Sequence, residues 1–353
     1  MSENDERSDA GPSAVGVRRP ATIRDVAAHA GVSKSVVSRV LRDEPNVSEE
    51  RRARVRDAMA ELDYRPNTMA RGLSQSRSGT IGVVINDLRN PWYVSLIEGL
   101  ATTLDAVDIA PILVDSRLDH QVGRNTVETL LSRQVDGLVV VGTTDARVDV
   151  ERAALSIPVV LAGTLEPDLP TVDIAVDDDL AGATMATEHL LRLGHRRLAH
   201  IQGPGAVGAL RRKGFEDTLA AAGIAAENMM VEYGGTREEG GYAAAERLLD
   251  AATPPTAILA YNDMTSLGVM SAADDRGLSI PGDLSLIGYD NTQLASLRHI
   301  SLTSVDNGNF TVGTQAAKFL IQRMDRLRAP QRIYRHTPTL VVRRTTSAPR
   351  ERD

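Results

Sequence analysis

Apolar residues recur at helical spacing in three short runs between residues 20 and 63, where no strand pattern occurs. Ile23, Val26, Ala27 and Ala30 form the first stripe. Thr22 followed by Asp25 resembles a capping box, with Asp where Glu or Gln is usual, so a helix is expected over about 23–30. Gly31 suits a sharp turn, and Ser33 is placed to cap a second helix. Ser48 opens a third, expected over about 48–62, whose Val55, Met59 and Leu62 close a small core. From Thr80 the texture changes. Short β-rich runs (TIGVVI, APILV, DGLVVV, PVVLA, DIAV, LAHI, MMVEY, TAILA, LSLIG) alternate with helical stretches near 93–107, 120–134, 147–155, 179–193, 211–222, 238–251 and 264–276. Repeated βα alternation predicts a mostly parallel α/β body. About ten strands exceed one comfortable sheet, so the body divides into two lobes.

The second helix decides what the small domain is for. At roughly 100° per residue, Lys34, Ser35, Ser38, Arg39 and Arg42 fall within an arc of about 140°. Val36, Val37, Val40 and Leu41 fill the opposite arc. One face packs; the other is cationic, rich in hydroxyls and free of acids. A merely solvated helix usually mixes both signs. Two helices joined by a short glycine turn, the second presenting Lys, Ser and Arg, form a helix-turn-helix that inserts into the major groove of DNA. Arg51, Arg52, Arg54 and Arg56 of the third helix either touch phosphates or pair with Glu49, Glu50 and Asp57 as a solvated face.

Charge sharpens this picture. The 353 residues carry a net −7, yet residues 18–77 hold thirteen basic and eight acidic side chains, a net of +5. Residues 1–17 carry −3 and residues 78–353 carry −9. A small basic module on an acidic body suits a polyanionic partner without indiscriminate adhesion. With 42% apolar and 25% charged residues the composition is that of an ordinary globular protein. No run of eighteen apolar residues suggests a membrane span. The N-terminal stretch lacks the apolar core of a signal peptide. The chain has no cysteine, which excludes disulfide and thiolate chemistry and fits a reducing cytoplasm.

Residues 64–79, YRPNTMARGLSQSRSG, read as a linker. Asn67 is placed to cap a helix over residues 68–74, with Met69 and Leu73 paired at i,i+4. Isolated helices below about 12–15 residues are marginal, and Gly72 costs about another 1 kcal/mol. Such a segment folds only against something. Beside Arg71 and Arg77, Leu73 suits a minor-groove wedge; the plain alternative is a flexible tether with an incidental leucine. The expected organisation is a disordered tail (1–19), a helix-turn-helix domain (20–65), a hinge helix and linker (66–79), a two-lobed core (80–346) and a short tail (347–353).

The segments TIRDVAAHAGVSKSVVSRVLRDEPNVSEERR, YRPNTMARGL and TIGVVINDLRNPWY, followed by TEHLLRLGHRRLAHIQGP, TAILAYNDMTSLGVM and IPGDLSLIGYDN, resemble the lactose-repressor (LacI/GalR) family of bacterial transcription regulators. The likeness runs in order over about 22–346. It implies an α + α/β architecture: a three-helix head, a hinge helix and a core like the periplasmic sugar-binding proteins. It also implies a dimer on palindromic double-stranded operator DNA, a sugar-like effector between the lobes, and no cofactor. With no heptad extension at the C-terminus, a tetramer-forming zipper is not expected.

Carried over by motif, Lys34, Ser35 and Arg39 would read bases, with Ser38 on the same face. Thr22, Ser33 and Asn67 would contact phosphates, and Leu73 would intercalate at the operator centre. Trp92, Tyr93, Arg211, Asn262 and Asp290 would line the effector site. Trp92 either stacks on a ligand or packs in the core. Three departures mark the pocket as unusual. Gly163 stands where an aspartate faces the cleft in the family. The loop GPGAVGAL is short and lacks hydroxyl residues, and Thr236 replaces a closing aromatic.

Other functions leave weaker traces. GPGAVG, residues 203–208, is formally a dinucleotide fingerprint with Glu232 beyond it. It does not follow the first strand of its lobe, and its following helix is expected to begin with Arg211, Arg212 and Lys213. Asp177, Asp178 and Asp179 open a helix, where acids complement the dipole, so no metal is expected there. His195 and His200 read as structural. A transporter's solute-binding protein would share the core but would have no use for the basic module.

Overall fold

The computed structural model describes residue 19 and residues 21–41, 43–64, 77–142 and 147–350. The chain divides into two compact units, residues 1–75 and 76–353. In the first, α1 (Ile23–His29), α2 (Lys34–Leu41) and α3 (Glu49–Glu61) surround a core of Val26, Ala27, Val37, Val40, Val55 and Ala58. None of these helices is long enough to stand alone, so the shared core holds them. The capping box is formed: the Thr22 hydroxyl oxygen accepts from the Asp25 N–H, and the Asp25 carboxylate accepts from the Thr22 N–H at 2.7 Å. Gly31 takes φ +61 in the turn before α2.

Two of the four α3 arginines, buried Arg52 and exposed Arg54, are tied to the protein itself. Arg52 is buried and donates to Asp43 Oδ1 at 2.5 Å and to the Glu44 carbonyl at 2.8 Å, fastening the segment after α2. Arg54 donates to the Ala30 carbonyl at 2.5 Å and secures the turn. Arg51 and Arg56 face solvent, Arg56 within 3.7 Å of Glu49.

The second unit contains two six-stranded sheets, one per lobe. In the first, the order is β11 (Ile333–His336), β5 (Asp173–Asp177), β4 (Val159–Ala162), β3 (Leu138–Val141), β1 (Thr80–Ile85), β2 (Ala110–Asp115). In the second it is β12 (Thr339–Val341), β10 (Thr303–Asp306), β9 (Ser285–Tyr289), β8 (Ala257–Leu259), β6 (Leu198–Gln202), β7 (Met229–Tyr233). All pairings are parallel except β10 with β12. Strand order reverses around β1 and around β6, and crevices for ligands open beyond the carboxyl ends of strands at such points.

The described strands number twelve rather than about ten, and the chain crosses between lobes three times. The crossings follow β5, β10 and β11. After β10, the helix Asn309–Met324 returns to the first lobe and packs along the helix Trp92–Asp105. The backbones touch there: a Cβ on Gly99 would meet the Phe310 carbonyl, and one on Gly313 the Leu96 carbonyl. At the far end of that helix Arg323 is fully buried. It donates to both oxygens of Asp173, at 2.7 and 2.5 Å, and to the carbonyls of Leu327, Ala329 and Pro330. Arg332 donates to the same carboxylate at 2.6 Å.

Local differences from the sequence reading have simple causes. The helix expected over 120–134 is two, Ser116–Gln121 and Thr126–Ser132, because Gly123 takes φ +68 and Asn125 caps a new start. The helix expected from Arg211 begins at Gly205 and runs to Ala221. The C-terminal residues to Arg350 lie along the second lobe, where the Ser347 N–H donates to Ser285 Oγ at 3.0 Å. His195 lies within 2.9 Å of the Ser347 carbonyl and 2.8 Å of Thr256, a structural clamp.

Candidate DNA-reading face and ligand cleft

On α2, Lys34, Ser35 and Arg39 are exposed, Ser38 is half-buried, and Val37 and Val40 are buried. Ser33 Oγ accepts weakly from the Val36 N–H at 3.4 Å and lies 2.8 Å from Ser35 Oγ, so the hydroxyls cluster at the helix start. Arg39 sits 3.7 Å from Glu44 with both side chains in solvent, a pairing weak enough to exchange for a base edge. Thr22 spends its hydroxyl and N–H on Asp25. Arg42, Asn67 and Leu73, with the hinge helix expected around them, lie outside the described residues.

In the core, a cavity of about 220 Å³ lies between the lobes at the carboxyl ends of their strands. Trp92, Tyr93, Arg211, Asn262 and Asp290 all line it. Trp92 and Tyr93 open the helix Trp92–Asp105, with the Trp92 N–H held by Asn90 Oδ1 at 3.1 Å. Their rings meet edge to face at 4.9 Å, and the Tyr93 hydroxyl donates to Asn86 Oδ1. Trp92 is both wall and packing, for it is buried and covers Gly163. A Cβ at Gly163 would stand 2.4 Å from the indole, and the backbone there has φ +66. The missing aspartate and the tryptophan are therefore one feature: the ring occupies the side chain's space. Gly163→Ala should cost about 1–3 kcal/mol and displace the ring. Trp92 is the chain's single tryptophan, so its emission reports this directly. An unchanged spectrum and unfolding midpoint would refute the packing account.

Arg211 is the hub of the second lobe's wall. It is buried, donates to Asp179 Oδ1 at 2.8 Å and to the Tyr261 carbonyl at 2.6 Å, and reaches within 3.8 Å of Asp290. Its guanidinium lies 3.5 Å from the Tyr289 ring centroid and 4.8 Å from that of Tyr261. The Tyr289 hydroxyl donates to Asp177 at 3.0 Å. One cation thus serves several buried acids. Burial, with Asp179 beside it, pushes the Asp177 carboxyl up to about 7 despite Arg211. Burial also raises Asp179, and it raises Asp290 well above the carboxylate range, Arg211 opposing in both. Burial lifts Asp263 to about 6 against hydrogen bonds from Ser304 and Thr292.

The amide of Asn262 is committed to the protein. Its oxygen caps the helix Asp263–Asp275 through the Thr265 N–H at 2.9 Å, and its nitrogen donates to the Thr236 carbonyl at 3.1 Å. It shapes the loop bearing Thr236. Sequence reasoning missed Asp179, Tyr261 and Tyr289 as Arg211's partners, although YNDM and GYDN contain both tyrosines. It also missed Asp87 in NDLRN. This carboxylate takes two bonds from the Arg89 guanidinium, at 2.8 and 2.7 Å, one from the Arg89 N–H at 3.2 Å, and one from Arg237 of the other lobe at 2.6 Å. Burial would raise its pKa, but the bonds from Arg89 and the charges of Arg89 and Arg117 hold it below the usual range.

Asp178 caps the helix Asp179–Arg192, so the three consecutive acids have three separate structural partners. Two of the three glycines of GPGAVG serve packing, and Gly205 takes φ +66 where the helix Gly205–Ala221 begins. A Cβ on Gly203 would enter the Tyr261 ring, and one on Gly208 the Gly203 carbonyl. Among the described residues no cluster of three or more His, Cys, Asp or Glu could hold a metal, and no helix is long and apolar enough to cross a membrane.

Residues 78–340 match the family model of periplasmic binding proteins and the sugar-binding domain of the LacI family, and residues 22–67 match that of bacterial regulatory proteins of the lacI family. The HTH-type transcriptional regulator GalR of Escherichia coli (strain K12) is 33% identical over 332 residues, covering 93% of this chain and 96% of that one. Catabolite control protein A of Priestia megaterium is 33% identical over 309 residues, covering 86% and 93%. The lac repressor dimer bound to operator and the anti-inducer ONPF superposes with a TM-score of 0.80 at 28% identity, over 94% of this chain and 100% of that chain. With both parts matched in order by that family's two models, the chain belongs to the LacI family of bacterial regulatory proteins, which are DNA-binding transcriptional regulators rather than enzymes.

Proposed function

We propose that the chain works in the cytoplasm as a homodimeric repressor of a palindromic operator, and that a small polar metabolite of the sugar class in the cleft controls its grip on DNA. The head is residues 20–65, the hinge 66–79 and the effector core 80–346. Lys34, Ser35 and Arg39 read base edges, and Ser38 supports them. Ser33 and Asn67 meet phosphates, Thr22 does so only by exchanging its bonds to Asp25, and Leu73 enters the minor groove. In the core, Trp92 and Tyr93 supply a flat apolar wall, Arg211 and Asp290 the polar recognition, and Asn262 the position of the Thr236 loop. Coupling runs through lobe closure, which changes how the paired hinges fold on DNA.

The observation that carries this reading is the division of α2: Val37 and Val40 are buried in the head while Lys34, Ser35 and Arg39 stand together in solvent. Arginine matches guanine O6/N7, and such a contact discriminates by about 1–3 kcal/mol. Arg39→Ala should therefore relax base choice at one position of each half-site by roughly 10–100-fold while leaving salt-dependent binding to random DNA largely intact. Selection from a random oligonucleotide pool checks this, and an unaltered consensus would rule out Arg39 as a reader. A screen of sugars, polyols and nucleosides against Trp92 emission tests the cleft. Hits that bind equally well after Arg211→Ala would move the ligand elsewhere.

A further inference from the structure

A second cavity of about 960 Å³ adjoins the cleft and shares Asn86 and Pro204 with it. Arg117, His120, Arg124 and Thr126 line its far side, from the end of β2 through the two short helices that follow. Among the described residues, neither Arg124 nor His120 makes an ion pair or a side-chain hydrogen bond. The lining acid, Asp149, is already answered by Asn125 at 2.7 Å and Arg152 at 3.3 Å. Thr126 is 4% exposed, and its hydroxyl has no partner. Arg117 is paired through one Nη with Asp115 at 3.4 Å and lies 3.4 Å from Asp87, yet its buried Nε makes no hydrogen bond. Two buried donors without partners, Thr126 Oγ1 and Arg117 Nε, therefore face the same space as the exposed, unpaired guanidinium of Arg124, and a buried polar group without a partner is costly.

We propose that this annex is an oxyanion subsite, holding a phosphate or carboxylate group against Arg124, Arg117 and the Thr126 hydroxyl. Guanidinium groups and a hydroxyl donor are the chemistry that oxyanions require. The shared wall at Asn86 and Pro204 lets one ligand lie across both spaces, its uncharged body on Trp92 and its anionic end in the annex. The assignment rests on the reading of the cleft as the effector site, and deepens it by naming the ligand's charge.

The test titrates the full-length protein with inorganic phosphate by calorimetry, using wild type, Arg124→Gln and Thr126→Val. Both substituted residues lie outside the effector cleft itself. Saturable binding is expected, weakened about fivefold or more in each variant. No saturable binding up to tens of millimolar, or equal binding in all three proteins, overturns the proposal; equal binding is what phosphate on the basic head would give. Ribose against ribose 5-phosphate and glucose against glucose 6-phosphate then distinguish the sources. An ester that binds more tightly than its parent sugar, with the advantage lost in Arg124→Gln, places the anion on the effector. Binding of inorganic phosphate alone, with the same sensitivity, makes it a separate co-ligand. A wrong reading of the cleft gives a different result: no neutral sugar, polyol or nucleoside shifts Trp92 emission, while phosphate still binds the annex.

Discussion

Replacing Arg323 with methionine should cost the core about 3–5 kcal/mol of stability. The methionine fills most of the volume, so the loss is chiefly electrostatic. Asp173 stays fully buried with only Arg332 opposite it, and three carbonyls around the former guanidinium lose their donor. Arg332 is a third exposed and keeps some compensation, which favours the lower end of the range. Urea unfolding followed by Trp92 emission measures the change, since Trp92 belongs to the same lobe. A double variant with Asp173→Leu should recover part of the loss, because the penalty lies in an uncompensated charge rather than in a missing bond. A single-variant loss below about 1 kcal/mol would show that the pair is relaxed in solution. Burial alone would raise the Asp173 pKa, but Arg323 and Arg332 hold it down. Its contribution is therefore present above the ordinary carboxylate pKa and disappears as pH falls through the depressed folded value.

Arg211→Met should remove the ligand response and also change how stability depends on pH. In the wild type, Asp177 is pushed up to about 7. Between the ordinary carboxylate pKa near 4 and that value, the folded chain holds a proton that the unfolded chain releases. Stability from this group is therefore greatest below about pH 4 and declines as pH rises toward 7. Without Arg211, burial acts on Asp179 and Asp290 unopposed by the cation that now counters it. Their pKa values rise further, so the decline should steepen and extend above pH 7. Urea midpoints at pH 5, 6, 7 and 8 read this out. Parallel profiles for wild type and variant would contradict the idea of one cation shared among several acids.

What the sequence made legible was what neighbours decide. The two-faced character of α2 follows from nine consecutive residues, and Val37 and Val40 pack in the core as periodicity requires, with Val36 at its margin. Seven of the nine apolar runs became inner strands because a parallel strand buried on both faces must be apolar throughout; the other two, β2 and β7, lie at sheet edges and are only partly covered. The unread parts depend on distant partners. Nothing around Arg323 announces that Asp173, 150 positions away, will enclose it. Gly163 and Trp92 are each conspicuous alone, yet their mutual fit exists only once β4 and the helix Trp92–Asp105 are side by side. Asn262 sits where its motif places it, but which way its amide turns is decided by Thr236 and Thr265. GPGAVG matches a dinucleotide fingerprint in form only, and close packing of backbone and ring accounts for Gly203 and Gly208.

The threefold crossing of the chain between lobes has a consequence for biosynthesis. Leu96, Leu100 and Leu104 leave the ribosome early, but part of the surface that buries them, Val312, Ala316 and Leu320, is still untranslated. At about 5–20 residues per second the wait is roughly 10–40 s. During that time the first five strands have no final edge partner, because β11 follows later still. The second lobe obtains nearly all of its strands in one continuous stretch and is able to mature first. The lobe begun first is therefore completed after most of its partner. A nascent chain with its apolar groove still uncovered is the form of this protein most exposed to chaperones and to aggregation.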